Sequence, residues 1–219
     1  MNFETEKITL TLHNHTFHLN TVTNIDALYD ALLAKGSDHA DVQDERLPYW
    51  AELWASAIGC SEYLIENELI TPESVVLELG CGLGLPSIVA GKLGAKKVIL
   101  TDYLDEALLF AKQNWALNLP LEKVVFENVD WRNPNPDLAA DIIIASDVAY
   151  EKRAFQPLLH AFEKLSKPNT TIIIAEPNRP VSKAFFSGLN TEGYDVKQCM
   201  KKVERKGYIF TVNIYELHK

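Results

Sequence analysis

Hydrophobic and polar residues follow two different periods along the chain. Residues 7–19 alternate apolar and polar side chains on both sides of a His13-Asn14 pair, a pattern typical of a β-hairpin. Residues 24–35 then repeat apolar positions three and four apart, which predicts a capped helix. Residues 36–48 are polar and are predicted to form a loop.

From residue 49 onward, continuous apolar runs are interleaved with segments of helical period. The predicted strands are 74–79, 96–102, 123–130, 140–147 and 170–176, and the predicted helices are 49–67, 85–94, 105–118, 154–166 and 184–193. This order predicts a mostly parallel sheet with helices on both faces. Two long strands, 194–203 and 208–217, have no helix between them and predict an antiparallel C-terminal hairpin. We therefore expect an α/β main domain at 48–219 that follows a small hairpin-and-helix extension at 1–47.

A glycine-rich loop follows the first strand of the predicted main domain. Its sequence, VLELGCGLGLP, places glycines at positions 80, 82 and 84, after Glu78. A dinucleotide-binding loop needs a small residue where Leu85 stands, and a P-loop needs a Gly-Lys-Ser/Thr sequence that does not follow here. The loop therefore favours close main-chain contact with a ligand that is not held by phosphate groups. A tight strand-to-helix turn without a ligand is the alternative.

Acidic residues end three of the predicted strands, at Asp102, Asp130 and Asp147. The carboxyl ends of parallel strands meet at one edge of a sheet, which is where open α/β sheets bind ligands. A carboxylate at Asp102 can accept both hydroxyls of a ribose, and Asp130 can accept from an adenine amino group beside the aromatic ring of Trp131. A single aspartate at a strand end is often a helix cap or a turn residue. Three of them in register with the glycine loop favour a binding site.

These features resemble those of a known enzyme class. The order of strands and helices resembles the Rossmann-like, seven-stranded sheet of class I S-adenosylmethionine-dependent methyltransferases. Residues 48–165 (with LWASA, LELGCGLGLP, VDW and SDVAY) resemble the family-16 group of that class, many of whose members methylate protein lysines and carry an Asp-x-x-Tyr motif. That motif runs here from Asp147 to Tyr150. Residues 175–180 (AEPNRP) also resemble a stretch of the lysine methyltransferases that modify the electron transfer flavoprotein β-subunit.

The resemblance implies S-adenosylmethionine as the methyl donor. It places the main chain of the glycine loop against the methionine part of the donor, with Glu78 fixing the loop and the donor's ammonium. It also implies that Asp102 holds the ribose and that Asp130 holds the adenine amino group. The full set of implied donor-binding residues is Trp54, Glu78, Gly80, Gly82, Gly84, Asp102, Tyr103, Asp130, Trp131 and Ser146.

The acceptor implied by the resemblance is a lysine side chain of a protein substrate. Asp147 would attract and hydrogen-bond the amine, and Tyr150 would orient it, with neither a metal ion nor a covalent nucleophile. Trp54 and Tyr150 have alternative readings as core aromatic residues of amphipathic helices. Two further functions stay open, a small-molecule N-methyltransferase and a non-catalytic binding module that keeps the fold.

Composition narrows the partners and the compartment. The 219 residues carry a formal net charge of -9, which argues against a general nucleic-acid binder, because phosphate contacts need a basic surface. Three cysteines without a metal-binding spacing, and the absence of a signal-peptide profile or a long apolar stretch, indicate a soluble cytoplasmic protein with no membrane partner. The sequence does not indicate an oligomeric state.

Two further clusters have weaker interpretations. His13, His15 and His18 lie in the first predicted hairpin, but no carboxylate or cysteine joins them in the sequence, so they do not favour a metal site. The turn of the last hairpin is basic, and such charge runs are usually solvated, although an acidic protein partner is an alternative. The residues of this turn are Lys201, Lys202, Arg205 and Lys206.

Overall fold

The computed structural model describes residues 3–44 and 46–219. The chain begins with an antiparallel hairpin of β1 (Thr5–Leu12) and β2 (His15–Val22), as the alternating pattern predicts. The helix α1 (Ile25–Leu33) follows. The segment 36–48 was wrongly predicted to be entirely loop, because it contains a one-turn helix, α2 (Ala40–Gln43), whose N-terminus is capped by the side chain of His39.

A seven-stranded sheet forms the centre of the molecule. Its strands are β3 (Val75–Leu79), β4 (Lys97–Asp102), β5 (Val124–Asn128), β6 (Ala140–Ser146), β7 (Ser166–Glu176), β8 (Asp195–Arg205) and β9 (Tyr208–His218). They lie in the order β5-β4-β3-β6-β7-β9-β8, parallel from β5 to β7, with β9 antiparallel to both of its neighbours. The predicted α/β class, the parallel core and the antiparallel C-terminal hairpin are confirmed.

Five helices accompany this sheet in the chain: α3 (Ala55–Glu66), α4 (Leu85–Lys92), α5 (Asp105–Ala116), α6 (Lys152–Leu165) and α7 (Lys183–Gly188). Successive side chains of a strand point to opposite faces. On β6, Ile142 and Ile144 therefore join one hydrophobic core while Ile143 joins the other. Both faces of the sheet are buried, which explains why the central strands are continuously apolar. No helix among the described residues combines the length and the apolar composition needed to cross a membrane.

The helix predicted at residues 49–67 is interrupted. Pro48–Ala51 form a 3₁₀ turn, the backbone of Glu52 and Trp54 is extended, and α3 begins only at Ala55. The Trp54 indole N–H donates to the carbonyl oxygen of Tyr49 at 2.7 Å, across the break. The apolar spacing of this segment comes from two pieces packed in the same core, so periodicity alone could not reveal the break.

The N-terminal hairpin packs on α5 through two asparagines. Asn118 accepts from the His18 N–H and donates to the His18 carbonyl, and Asn114 pairs in the same way with Asn20 at 2.7 and 3.2 Å. The Asn114 amide also donates to the carbonyl oxygen of Leu83 in the glycine loop, at 3.0 Å. One buried side chain therefore connects the hairpin to the loop.

Candidate active site

A cavity of about 390 Å³ opens at the carboxyl ends of the parallel strands. Most of the predicted site residues line it: Trp54, Gly80, Gly82, Gly84, Asp102, Tyr103, Asp130, Trp131, Ser146, Asp147 and Tyr150. Glu78 is the exception among the predicted set, because it is fully buried behind the loop. The volume lies within the usual range for small-molecule sites.

The glycine loop takes a backbone path that other residues would disfavour. Gly80 and Gly84 have φ values of +64° and +80°. A Cβ atom on Gly84 would lie 2.9 Å from the Leu100 side chain, and one on Gly80 would lie 3.1 Å from Val148 and 3.3 Å from Trp131. Both the positive φ and the close packing therefore require glycine.

Glu78 ties the end of β3 to the beginning of α4. One carboxylate oxygen, Oε2, accepts from the main-chain N–H and the hydroxyl of Ser87, at 3.1 and 2.5 Å. The other oxygen, Oε1, is buried and has no hydrogen-bond partner among the described residues. Burial raises the pKa of this carboxyl to about 8, although the Ser87 hydrogen bonds lower it in part.

Asp102 binds the glycine loop to the end of β4. Its carboxylate accepts from the N–H of Gly82 at 3.0 Å and from the N–H of Leu104 at 3.1 Å. Burial raises the pKa of Asp102, and these main-chain hydrogen bonds oppose the shift. Among the described residues, no cation forms an ion pair with Asp102, so its charge is available to a ligand.

The other carboxylates of the cavity have cationic partners. Arg132 holds both oxygens of Asp130 at 2.7 to 2.9 Å and lowers the pKa of that carboxyl. Arg153 pairs with Glu151 at 2.6 Å, and Arg205 and Lys206 both pair with Glu52. Asp130 is therefore at the predicted place, but a ligand would share it with Arg132.

A segment before Pro48 forms one wall of the cavity. Arg46 donates to the Tyr103 hydroxyl at 3.0 Å and lies 4.8 Å from the centre of its ring. The Tyr103 hydroxyl donates in turn to Asp44 at 2.8 Å, and the Asp44 carbonyl accepts from Arg153 at 3.4 Å. The segment thus bridges the end of β4 and the beginning of α6.

Asp147 follows β6 with a left-handed backbone, φ +58°. Its carboxylate oxygen Oδ1 accepts two hydrogen bonds from the Arg179 guanidinium, at 2.8 and 3.1 Å, and Oδ2 accepts from the Ser56 hydroxyl at 3.3 Å. Burial raises the pKa of Asp147, and the charge of Arg179 lowers it in part. The predicted acceptor carboxylate is therefore half of an ion pair.

Glu176 holds the loop that carries Arg179. It accepts from the Arg179 main-chain N–H at 2.9 Å, from the Ser182 hydroxyl at 3.0 Å and from the Asn213 amide at 2.6 Å. Glu176 is buried and both of its oxygens are satisfied. The loop position is therefore fixed by β7 and β9 together.

Aromatic rings surround the opening of the cavity beside Asp147. The ring of Tyr49 lies edge-on to Tyr150, with centroids 5.4 Å apart, and to Trp54 at 6.3 Å. The Arg179 guanidinium lies 5.9 Å from the centre of the Trp54 ring. Burial raises the pKa of Tyr150 to about 12, so its hydroxyl stays protonated near neutral pH.

The sequence comparisons agree with this geometry. The model of the family-16 methyltransferases, described as lysine methyltransferase, matches residues 42–192. The chain belongs to this family of lysine methyltransferases. As a member, it is similar in fold to magnesium protoporphyrin IX methyltransferase from Synechocystis with bound SAH, with a TM-score of 0.60, 16% identity, and coverage of 89% of this chain and 94% of that one.

Curated relatives of this lysine methyltransferase family member have several acceptors. The protein N-terminal and lysine N-methyltransferase EFM7 of Cryptococcus neoformans is 34% identical over 140 residues, or 57% of this chain and 46% of its own. The protein N-lysine methyltransferase METTL21A of Xenopus tropicalis is 33% identical over 129 residues, or 57% and 59%. Human histone-arginine methyltransferase METTL23 is 35% identical over 127 residues, or 55% and 65%. The chain therefore spans less than two thirds of each of these relatives.

Several side chains of the site were missed by sequence reasoning. Arg46 and Tyr49 line the cavity, and Arg179 and Ser56 hold Asp147. The AEPNRP stretch was the only sequence signal for Arg179, and it did not show which side chain Arg179 contacts. The histidines of the N-terminal hairpin have other contacts, His13 with Glu66 at 3.3 Å and His18 with Thr9 at 3.1 Å.

Proposed function

We propose that this protein is an S-adenosylmethionine-dependent N-methyltransferase whose acceptor is a lysine side chain of a protein. The observation that carries the proposal is one cavity in which the glycine loop and Asp102, which forms no ion pair with a described residue, lie beside the Asp147–Tyr150 motif. When bound, the donor supplies a methyl group on a positively charged sulfonium. The reaction then requires placement of the acceptor more than acid or base catalysis.

The polar groups of the cavity suit such a donor. Asp102 offers carboxylate lone pairs that remain beyond its two main-chain hydrogen bonds, as ribose hydroxyls require. The Oε1 atom of Glu78 is a buried polar atom behind the loop that has no hydrogen-bond partner among the described residues, and the glycines let the main chain approach closely. Trp131 and Tyr103 add aromatic surface for an adenine ring, and Ser146 adds a hydroxyl at the end of β6.

The acceptor side of the cavity suits an amine. The aromatic rings of Tyr49, Trp54 and Tyr150 form an apolar wall, and an amine that loses water against it is favoured as the neutral form over the ammonium. The Tyr150 hydroxyl, protonated near neutral pH, offers lone pairs to an amine N–H but is no base there. Asp147, held by Arg179, gives a fixed acceptor for a second N–H.

A protein acceptor is supported by the names of the relatives, which share a nitrogen of a protein as the group that is modified. A small-molecule amine is the second candidate, because the bridge from Asp44 and Arg46 to Tyr103 and Arg153 covers part of the cavity. We further propose a reducing cytoplasmic location, since all three cysteines are free, and a division into an extension at 1–47 and a catalytic domain at 48–219.

The test is incubation of the purified protein with methyl-labelled donor and soluble extract of its source. We expect one or a few labelled protein bands with the wild type and with Asp137→Asn, a carboxylate outside the cavity, and none with Asp147→Asn. Label that appears only in small molecules would favour the second candidate. Absence of donor binding in calorimetry would instead leave a non-catalytic module and overturn both.

A further inference from the structure

The tip of the C-terminal hairpin, residues 200–210 of β8 and β9 with their turn, exposes large apolar side chains. Met200, Tyr208 and Ile209 are 70%, 71% and 71% exposed, and Phe210 is 39% exposed. Other residues of the same strands, such as Val203 and Val212, are buried and pack on Gly59 of α3. The packing needs of the fold therefore do not explain the apolar tip.

The tip is also basic, although the chain as a whole is acidic. The whole sequence has 30 acidic and 21 basic residues, but residues 200–210 contain four basic residues and one acidic residue, Glu204. Some of these cations have partners: Lys201 pairs with Glu66, while Arg205 and Lys206 share the single carboxylate of Glu52. Lys202 is exposed and has no ionic partner among the residues that the structure describes. Positive charge therefore remains on the tip.

The tip is attached to the rim of the candidate active site. Glu52 lines the cavity, and its carboxylate binds Arg205 at 3.3 Å and Lys206 at 3.1 Å. In the register of the hairpin, Arg205 pairs with Tyr208 and Val203 pairs with Phe210, so these side chains share the face that packs on α3. Ile209 pairs with Glu204 on the opposite face, where Met200 and Lys202 also lie.

We propose that the hairpin tip is a docking surface for the protein substrate, and that it binds an acidic segment with apolar side chains. The inference rests on the proposed function for the identity of the partner. The exposed apolar residues of the tip can pack on apolar side chains of the partner, and the cations of the tip attract its carboxylates. A protein segment contacts the tip alone, whereas a flat anionic membrane would also face the rest of a chain with net charge -9.

The proposed docking surface can be altered by substitutions that leave the hydrophobic core unchanged. The double variant Lys202→Glu, Ile209→Ser changes two exposed side chains on the face away from α3. A matched control is Leu121→Ser, Lys123→Glu beside β5, at the opposite edge of the sheet, where Leu121 is 48% exposed and Lys123 is also exposed. Both variants change charge and apolar surface by the same kind of substitution.

The probe is a fluorescein-labelled peptide that carries a lysine between glutamates and leucines, measured by fluorescence anisotropy. We expect the tip variant to weaken binding at least about fivefold and the control variant to leave it within about twofold. A peptide with glutamines in place of the glutamates should bind as weakly to the wild type as the acidic peptide binds to the tip variant. Donor affinity should stay unchanged in both variants.

Several results would overturn the proposal. These are no binding of the acidic peptide, equal binding by the two variants, and equal binding of the glutamine peptide. Binding of phosphatidylserine vesicles in its place would assign the tip to a membrane, and a dimer in sedimentation that the tip variant abolishes would assign it to a second copy. If the protein fails to bind the donor but binds the peptide through the tip, the proposed function fails and the docking surface stands.

Discussion

Arg179 donates two hydrogen bonds to one oxygen of Asp147, at 2.8 and 3.1 Å, across the ends of β6 and β7. The other oxygen accepts from the Ser56 hydroxyl, at 3.3 Å. Charge-assisted pairs of this type fix both groups more tightly than neutral hydrogen bonds. The Asp147 carboxylate is therefore held in one orientation as a hydrogen-bond acceptor, and its negative charge is balanced by a fixed cation.

Removal of Arg179 should harm acceptor use more than donor binding. In Arg179→Ala, the buried Asp147 carboxylate loses its cation, its pKa rises further, and it is free to rotate. We expect kcat/KM for the acceptor to fall about 10- to 100-fold, because misplacement of a positioning group costs factors of this size. Arg179→Lys should retain only part of the wild-type kcat/KM, since the lysine ammonium cannot reproduce the planar set of N–H donors of the guanidinium.

The readouts for Arg179 are steady-state kinetics on the labelled acceptor and calorimetry with the donor. Arg132→Ala is the control, because Arg132 also pairs with a carboxylate of the cavity, Asp130, but away from Asp147. In Arg132→Ala, the loss in kcat/KM should equal the loss in donor affinity. A loss of donor affinity in Arg179→Ala that equals the loss in kcat/KM would contradict the assignment of Arg179 to the acceptor side.

Asp102→Asn should weaken donor binding. Asparagine has nearly the same shape, but it removes a carboxylate that has no cationic partner among the described residues. It also offers one acceptor oxygen where the aspartate offers two. We expect the donor Kd to rise at least about tenfold in calorimetry, because hydrogen bonds to a charged group contribute about 1.5–3 kcal/mol. Asp137→Asn, outside the cavity, should bind the donor as the wild type does, and equal affinity of both variants would disprove the role of Asp102.

Gly84→Ala should separate packing from backbone strain. Gly84 and Gly94 both have positive φ, +80° and +97°, but only at Gly84 would a Cβ atom meet a neighbour, Leu100 at 2.9 Å. Gly94→Ala should therefore cost about 1 kcal/mol of unfolding free energy, and Gly84→Ala about 1–3 kcal/mol more. Urea denaturation of both variants measures the difference, and equal costs would show that the loop can relax around the added methyl.

Glu78 should make stability depend on pH. Its pKa is raised from 4.5 to about 8 by burial, so the folded state binds the proton more tightly than the unfolded state. This contribution to stability is complete below pH 4.5 and is lost as the pH rises through about 8. Glutamine cannot ionise, so Glu78→Gln should lack this decline of the unfolding free energy with rising pH.

Urea denaturation of wild type and Glu78→Gln between about pH 5 and pH 9 tests this linkage. The difference in unfolding free energy between the two proteins should shift in favour of the variant as the pH rises. Glu73→Gln, whose carboxylate is exposed, is the control and should parallel the wild type. A constant difference between wild type and Glu78→Gln would mean that the carboxyl titrates at its ordinary value.

The sequence predicted most of the framework because each signal was local. Unbroken runs such as residues 140–147 identify strands buried on both faces, and the three glycines identify a turn that must pack closely. The acidic residues at strand ends met in one cavity because parallel strands end at the same edge. These positions follow from topology alone.

The missed features depend on contacts between distant residues. Arg179 is 32 residues from Asp147, and Arg46 is 57 residues from Tyr103. The break before Ala55 was hidden because both of its sides contribute apolar residues to the same core. The ion pairs of the cavity could not be predicted either, because the sequence does not show which distant cation neutralises each carboxylate.

The Asn114 amide makes the N-terminal hairpin a support for the glycine loop. Its oxygen receives the Asn20 N–H, while its nitrogen reaches the carbonyl oxygens of both Asn20 and Leu83. Without β2, this buried amide would lose two of its three partners and turn toward other groups. Loss of the hairpin, although it is far from Asp147 and Tyr150 in sequence, would then loosen the turn that we propose captures the methyl donor.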